Sequence, residues 1–126
     1  MVDQTVKKYQ RLDVLVYNSG AIWWSSVEKT PMKRFQLMQR INPEGLYGSV
    51  QACLPHLYKN GDNSKGKGRI VVISPPIYSR FLKGKTAYAM GKVCNWTMVS
   101  DARGLLNANE LPVRYVSIND GNGRGL

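Results

Sequence analysis

Tyr88 and Lys92 are the two residues of this 126-residue chain whose types and spacing most clearly suggest chemistry. They stand four positions apart, so on a helix their side chains project from the same side. A lysine ammonium close to a phenol favours the phenolate and lowers the phenol pKa from about 10 towards neutral pH. Such a phenol can pass a proton to or from an alcohol or carbonyl oxygen. The same pair also occurs at the edge of ordinary amphipathic helices, so the spacing alone leaves both interpretations open.

The helix that carries this pair is predicted over residues 86–106. Its apolar residues recur every three or four positions: Ala87, Met90, Cys94, Met98, Ala102 and Leu105. These residues would form one stripe along the helix, and such a stripe is expected to pack against a sheet. With Ala87 at its centre, a rotation of ~100° per residue places Tyr88 and Lys92 together on one shoulder of the helix, beside the buried face.

The rest of the chain alternates between predicted strands and helices. In chain order the elements are a helix at 2–9, a strand at 14–17, a helix from 31 to 57, a strand at 70–73, the helix at 86–106 and a strand at 113–118. Pro43 is expected to interrupt or kink the second helix. Unbroken aliphatic strands joined by helices predict an α/β fold with a parallel sheet of three strands and covering helices.

The chain carries 18 Lys+Arg against 8 Asp+Glu, and residues 61–92 hold a net charge of +6 out of the total of +10. Such a concentration can attract phosphates, and it can equally be a solvated loop. One alternative function is therefore a basic nucleic-acid-binding module, which would use Lys59, Lys65, Lys67, Arg69, Lys83 and Lys85. A stacking platform needs its aromatic residues side by side, but the adjacent pair Trp23-Trp24 and Trp96 lie in different parts of the predicted fold. This placement disfavours the alternative.

Several other classes of protein are disfavoured by composition. His56 is the only histidine, and no acidic or cysteine cluster surrounds it, so we expect no metal site. No apolar run reaches the ~18 residues that a membrane span needs. Residues 1–8 contain no apolar stretch of the kind found in secretory signals. Cys53 and Cys94 are too few for a disulfide scaffold and are predicted to be buried thiols. We expect an intracellular, cytoplasmic protein, with import into an organelle left open.

Four segments resemble, in order and spacing, the short-chain dehydrogenase/reductase family. Residues 12–20 (LDVLVYNSG) are similar to the family's strand ending in Asn-Asn-Ala-Gly, and 41–45 (INPEG) to its mid-helix Asn segment. Residues 68–74 (GRIVVIS) resemble its central strand, and 88–92 (YAMGK) match its Tyr-x-x-x-Lys. The resemblance extends over about residues 2–118. The amino-acid sequence of residues 73–76 (ISPP) resembles that of the hydroxysteroid dehydrogenase-like branch of the family.

This resemblance implies a Rossmann-type parallel sheet and an NAD- or NADP-dependent oxidoreductase that interconverts a small-molecule carbonyl and a secondary alcohol. Tyr88 would be the general acid/base. Lys92 would lower the pKa of Tyr88 and hold the nicotinamide ribose, while Asn42 would anchor a proton-relay water. Asn18 and Gly20 would line the cofactor, because a glycine allows close approach of the backbone.

The sequence also departs from the family pattern. Pro75 stands where the family commonly has its catalytic serine. Ser74 is one residue earlier and is the remaining candidate, with its hydroxyl expected on the other side of the strand. Tyr17 replaces the first Asn of the strand-end motif, and Pro43 directly follows the relay residue Asn42.

No glycine-rich strand-to-helix loop precedes residue 12, so residues 1–126 are expected to be a single truncated dinucleotide-binding-type domain. It would lack the N-terminal βαβ half that seats the pyrophosphate, and its tail, 119–126, is divergent. We therefore expect impaired activity and self-association through the exposed edge of the strand at 14–17. The alternative within the same lineage is an inactive truncated module for interaction or oligomerisation.

Overall fold

A computed structural model describes residues 1–59, 68–75, 83–105 and 113–117. Its sheet has three parallel strands in the order β1 (Val14–Tyr17), β2 (Arg69–Ser74) and β3 (Val113–Ser117). Leu15 aligns with Ile70, and Ile70 with Val113. The predicted α/β fold with a parallel sheet is therefore confirmed. Lys65 and Lys67, which lie in the basic segment 61–92, fall outside the described residues.

Helices precede the sheet and connect its strands. Helix α1 (Val2–Tyr9) leads into β1, and α4 (Thr86–Leu105) lies between β2 and β3. Between β1 and β2 the chain forms α2 (Met32–Gln39), a π-helical turn (Arg40–Glu44) and α3 (Gly45–Lys59). The boundaries of these elements agree with the predicted ones to within a few residues.

The main core lies between α3 and one face of the sheet. Its buried residues are Tyr17, Leu46, Val50, Cys53, Leu57, Ile70 and Val72. The four helical members step by three or four positions, and the two from β2 alternate with more exposed neighbours, as a helix on a sheet requires. Each fully buried aliphatic side chain here contributes about 1.5–3 kcal/mol to folding. This core therefore holds the two strands whose carboxyl ends carry the candidate residues.

The opposite face of the sheet is less covered by helices than the face on which α3 packs. Val14 and Val16 of β1 are 46% and 58% exposed, and Val71 and Ile73 of β2 are only half-buried. In contrast, Val2 of α1 and Met98 of α4 both pack against the core of α3. Within the described ranges, α1, α3 and α4 are thus all tied to the same face, and the aliphatic side chains of the second face are left open.

The interruption predicted at Pro43 is present as the π-helical turn. Proline has no amide N–H to donate and its ring does not fit a regular helix interior. The chain accommodates it with a wider turn, in which the Gly45 N–H donates to the carbonyl of Arg40, five residues earlier. The helix continues on both sides, so Asn42 is held inside a local widening rather than in a loop.

The buried face of α4 coincides only in part with the predicted apolar stripe, because Ala87 is buried and Met98 packs against the core but two other members do not. Met90 is 50% exposed and Cys94 is exposed, whereas Lys92 and Asn95 are buried. The helix is thus rotated by roughly one residue, or ~100°, from the predicted orientation. Gly91 explains this rotation, because a Cβ at that position would lie only 3.2 Å from the Cβ of Asn42. The predictions that Met90 faces the sheet and that Cys94 is a buried thiol were wrong.

Gly68, just before β2, is expected to be intolerant of a side chain. A Cβ there would lie 2.8 Å from the Leu57 Cβ and 3.0 Å from the Leu57 carbonyl oxygen, which cannot rotate away. We expect Gly68→Ala to lower the free energy of unfolding by about 1–3 kcal/mol, measured by denaturant titration. Gly48→Ala is the matched control, because its Cβ would meet no described atom within 4 Å beyond the neighbouring residues and backbone of its own helix. It should instead stabilise helix α3 by about 0.5–1 kcal/mol. Equal effects of the two changes would contradict the close contact.

Candidate active site

Lys92 and Asn42 converge on Gly20 at the carboxyl end of β1. A Cβ placed on Gly20 would lie 3.4 Å from Lys92 Nζ and 3.3 Å from Asn42 Oδ1. Lys92 is 4% exposed and Asn42 is fully buried, whereas Gly20 itself is exposed. Three residues distant in the sequence therefore meet at one point where the backbone is open to solvent.

Tyr88 lies beside this point, on the same side of α4 as Lys92. The Lys92 Nζ is 5.7 Å from the centroid of the Tyr88 ring, within the range of a cation–π contact. The ring is buried in a small apolar cluster that it forms with Ala21, Phe35 and Met38. The shared shoulder predicted from the spacing of the pair is thus a buried one, because α2 and the segment after β1 cover it.

Asn42 binds the backbone of Ala21 with both ends of its side-chain amide. Its Nδ2 donates to the Ala21 carbonyl oxygen at 3.0 Å, and its Oδ1 accepts the Ala21 N–H at 3.1 Å. Two antiparallel hydrogen bonds fix both the distance and the orientation of the segment that follows Gly20. Sequence reasoning singled out Asn42 but missed Ala21, because a backbone partner has no signature in residue type.

Burial lowers the pKa of Lys92 below the usual lysine value. The cause is desolvation, which penalises the charged ammonium. Within the described part of the chain no carboxylate forms an ion pair with it. Its Nζ lies 5.7 Å from the centroid of the Tyr88 ring and 3.4 Å from the position that a Cβ on Gly20 would take. The lysine is thus directed at the site by its packing rather than by an acidic partner.

Ser74 and Asn18 stand at the same edge of the sheet, because β1 and β2 are parallel. Asn18 is exposed directly after β1. Ser74 ends β2 and is 2% exposed, on the face that carries Ile70 and Val72. Its hydroxyl has no hydrogen-bond partner among the described residues. The structure therefore groups Gly20, Asn42, Tyr88 and Lys92, and records no hydrogen bond from Ser74 to them.

The side chains of Gln39 and Asn95 join α4 to the helices beside it. Sequence reasoning did not include either residue in the site. Gln39 Nε2 donates to the Ala87 carbonyl oxygen at 3.1 Å. The Asn95 amide is oriented with its nitrogen towards the carbonyl oxygens of Asn42 and Gly91. This nitrogen donates to both oxygens, each at 3.2 Å. The available signal was an asparagine three residues after Lys92, within one turn of the helix from it.

In the described portion of the chain, no three His, Cys, Asp or Glu residues come together as a metal site would require. Nor does that portion contain a helix with the length and apolar character needed to cross a membrane.

The amino-acid sequence of the chain matches that of a known protein family. The profile of the short chain dehydrogenase family matches residues 1–121. A hydroxysteroid dehydrogenase-like protein 2 from Danio rerio is 34% identical over 116 residues, which are 87% of this chain and 27% of that protein. The Mus musculus protein of the same name is 33% identical over 116 residues, 87% of this chain and 23% of that one. The chain thus spans about a quarter of the length of these relatives.

Solved structures show the same fold. An NADH-dependent reductase complexed with NAD superposes with a TM-score of 0.84 at 16% identity, covering 96% of this chain and 51% of the reductase. An acetoin dehydrogenase from Salmonella typhimurium gives a TM-score of 0.80 at 23% identity, over 94% of this chain and 45% of the dehydrogenase. These likenesses establish the Rossmann-type architecture of the described sheet and helices.

The lowered pKa of Lys92 predicts a pH dependence of stability. Between its folded and unfolded pKa values, the buried lysine holds fewer protons in the folded chain, so stability rises with pH up to the unfolded value of 10.5. We expect the difference in unfolding free energy between the wild type and Lys92→Met to shift in favour of the wild type from about pH 7 to about pH 10. Lys33→Met, at an exposed lysine, controls for the loss of one positive charge. A difference that stays constant with pH would contradict the buried environment of Lys92.

Proposed function

The chain belongs to the short-chain dehydrogenase family, and from this we propose that it forms the proton-transfer part of an NAD- or NADP-dependent oxidoreductase site that interconverts a carbonyl and a secondary alcohol. The observation that carries the proposal is the convergence of Lys92 and Asn42 on Gly20, beside the Tyr88 ring. A phenol, an ammonium and an open stretch of backbone are the groups that this chemistry needs from the protein.

Tyr88 is the general acid/base in this proposal. It donates its phenolic proton to the carbonyl oxygen during reduction and takes a proton from the hydroxyl during oxidation. The Lys92 ammonium, 5.7 Å from the ring centroid, stabilises the phenolate that proton donation leaves behind. Ala21, Phe35 and Met38 pack around the ring, which limits its rotation and keeps water away. The ring is therefore held in one orientation before any substrate binds.

The backbone at Gly20 suits the nicotinamide end of a dinucleotide. Any side chain at this position would begin 3.3–3.4 Å from Asn42 Oδ1 and Lys92 Nζ and would fill the space that these polar groups face. In the proposal, Asn18 and Gly20 line the cofactor, and the ammonium of Lys92 offers its donors to the ribose hydroxyls. When bound, the nicotinamide supplies or accepts the hydride.

Asn42 and Ser74 complete the proposed set. After its two bonds to Ala21, the Asn42 amide retains one N–H and one oxygen lone pair, enough to anchor a proton-relay water. Ser74 contributes a hydroxyl with no partner among the described residues, at the strand end next to the site. Pro75 supplies no hydroxyl at the neighbouring position, so Ser74 is the candidate for orienting the substrate oxygen.

A second candidate function is an interaction module that associates through β1. This strand lies at the outer edge of the described sheet, and its Val14 and Val16 are 46% and 58% exposed. An open edge with apolar side chains is a template for pairing with another chain. Sedimentation across a concentration series distinguishes the two functions, because the catalytic proposal does not need the chain to associate with itself.

Tyr88→Phe tests the catalytic proposal. Removing the phenolic hydroxyl should lower turnover of small ketones and secondary alcohols by about 10²–10⁴-fold, because general acid/base catalysis is lost. The affinity for the nicotinamide dinucleotide, followed by fluorescence titration, should change little. Tyr47→Phe is the matched control, because Tyr47 is 63% exposed on α3. Unchanged turnover in Tyr88→Phe would refute the role of this residue, and a wild type that binds no dinucleotide would refute the proposal as a whole.

A further inference from the structure

Two carbonyl groups of the π-helical turn are bound by side chains from outside the helix. The Tyr17 hydroxyl, at the end of β1, donates to the Ile41 carbonyl oxygen. The Asn95 amide, on α4, donates to the Asn42 carbonyl oxygen at 3.2 Å. These two carbonyls belong to the two residues before Pro43 and are reached from two different elements. The turn that carries Asn42 is therefore bound by both β1 and α4.

The proline is the reason why this turn needs outside partners. Because Pro43 has no N–H, the regular hydrogen bond to the Gln39 carbonyl cannot form, and the backbone around it departs from α-helical spacing. Hydrogen bonds from side chains of other elements to the carbonyls of this turn restrict its backbone where the regular helical bond is missing.

The burial of Asn95 would destabilise the fold if its side-chain amide formed no hydrogen bonds. It is fully buried in the middle of α4, where an aliphatic side chain would give more hydrophobic stabilisation. A buried amide left without partners costs about 1–3 kcal/mol. Its two bonds, to Asn42 and to Gly91 on its own helix, avoid that cost. They also connect the helix that carries Tyr88 and Lys92 directly to the turn that carries Asn42.

The surroundings of Tyr17 also leave room for its hydrogen bond to the π-helical turn. Its side chain is buried, and burial raises its pKa, so the hydroxyl remains a proton donor at neutral pH. A Cβ on Gly45 would lie 2.5 Å from the Tyr17 Oη, closer than any non-bonded contact allows. The glycine at the start of α3 therefore leaves the space that the tyrosine hydroxyl occupies.

We propose that Tyr17 and Asn95 are positioning residues, which hold the π-helical turn so that Asn42 keeps Ala21 and Gly20 in place beside Lys92. Hydrogen bonds connect Asn95 to Asn42 and Asn42 to the Ala21 backbone. Ala21 directly follows Gly20, and a Cβ on Gly20 would lie 3.4 Å from Lys92 Nζ. The geometric part stands by itself, and only its consequence for catalysis rests on the proposed function.

Hydrogen exchange at the Ala21 amide tests the geometric part directly, because this N–H donates to Asn42 Oδ1. We expect Asn95→Leu and Tyr17→Phe each to lower the protection factor of Ala21 about tenfold relative to that of Val72, which reports on the core of β2. Thr97→Val is the control for Asn95. It removes a hydrogen bond on the exposed side of α4, from Thr97 Oγ1 to the Val93 carbonyl. Tyr47→Phe controls for the loss of a phenolic hydroxyl.

Asn95→Asp supplies a conservative rescue. A carboxylate cannot donate to the carbonyl of Asn42, but a protonated carboxyl can, through its single O–H. The protection of Ala21 should therefore return in this variant as the pH is lowered through the pKa of the new carboxyl, while in Asn95→Leu it should not. This pH dependence would not arise if residue 95 served only to fill space.

The outcomes separate the two proposals. If Ala21 and Val72 lose protection by the same factor in Asn95→Leu and Tyr17→Phe, these residues stabilise the fold generally and the positioning role is refuted. Wild-type protection of Ala21 in both variants also refutes it. A selective loss at Ala21 supports the positioning role even if the chain binds no dinucleotide. If it does bind one, the same variants should weaken that binding about tenfold.

Discussion

The side-chain amide of Asn42 and the backbone of Ala21 exchange two hydrogen bonds, and the arrangement of the candidate site depends on this pair. Ala21 follows Gly20, so the pair determines where the open stretch of backbone lies relative to Lys92. A single hydrogen bond would leave the segment free to rotate, whereas two antiparallel bonds leave little freedom. Without them, the segment after β1 would be joined to α2 by the apolar contacts of Ala21 and by the stacking of Arg34 on the Trp23 ring.

The inner side of α4 places polar groups where a purely structural helix would bury apolar ones. Lys92 and Asn95 point inward, and Met90 is left half-exposed. Burying an ammonium is unfavourable, as the lowered pKa of Lys92 shows. The cost is offset by the apolar core between α3 and the sheet, which lies away from the site. Local rules of helix patterning are thus broken where the chemistry is expected, a distribution that is common in functional proteins.

The residues that depart from the family pattern, Tyr17 and Pro43, both act on the same π-helical turn. Tyr17, in place of an asparagine, sends its hydroxyl to the Ile41 carbonyl, and Gly45 leaves room for it. Pro43, directly after Asn42, is accommodated by a π-helical widening. Asn95 then binds the Asn42 carbonyl from the opposite side. A change at any one of these positions would alter the surroundings of the others, so we expect their effects to be non-additive.

The sequence by itself determined the features that depend on neighbouring residues. Aliphatic runs predicted β1 and β2, Pro43 predicted the interruption between α2 and α3, and the four-residue spacing put Tyr88 and Lys92 on one side of a helix. Only the tertiary structure decided which side of α4 is buried, because the close approach of Gly91 to Asn42 turns Lys92 and Asn95 inward although the neighbouring face is more apolar. The roles of Ala21 and Asn95 were also decided there. Hydrogen bonds to a backbone carbonyl or amide distant in the chain have no signature in residue type or spacing, and they exist only once the fold has brought the partners together.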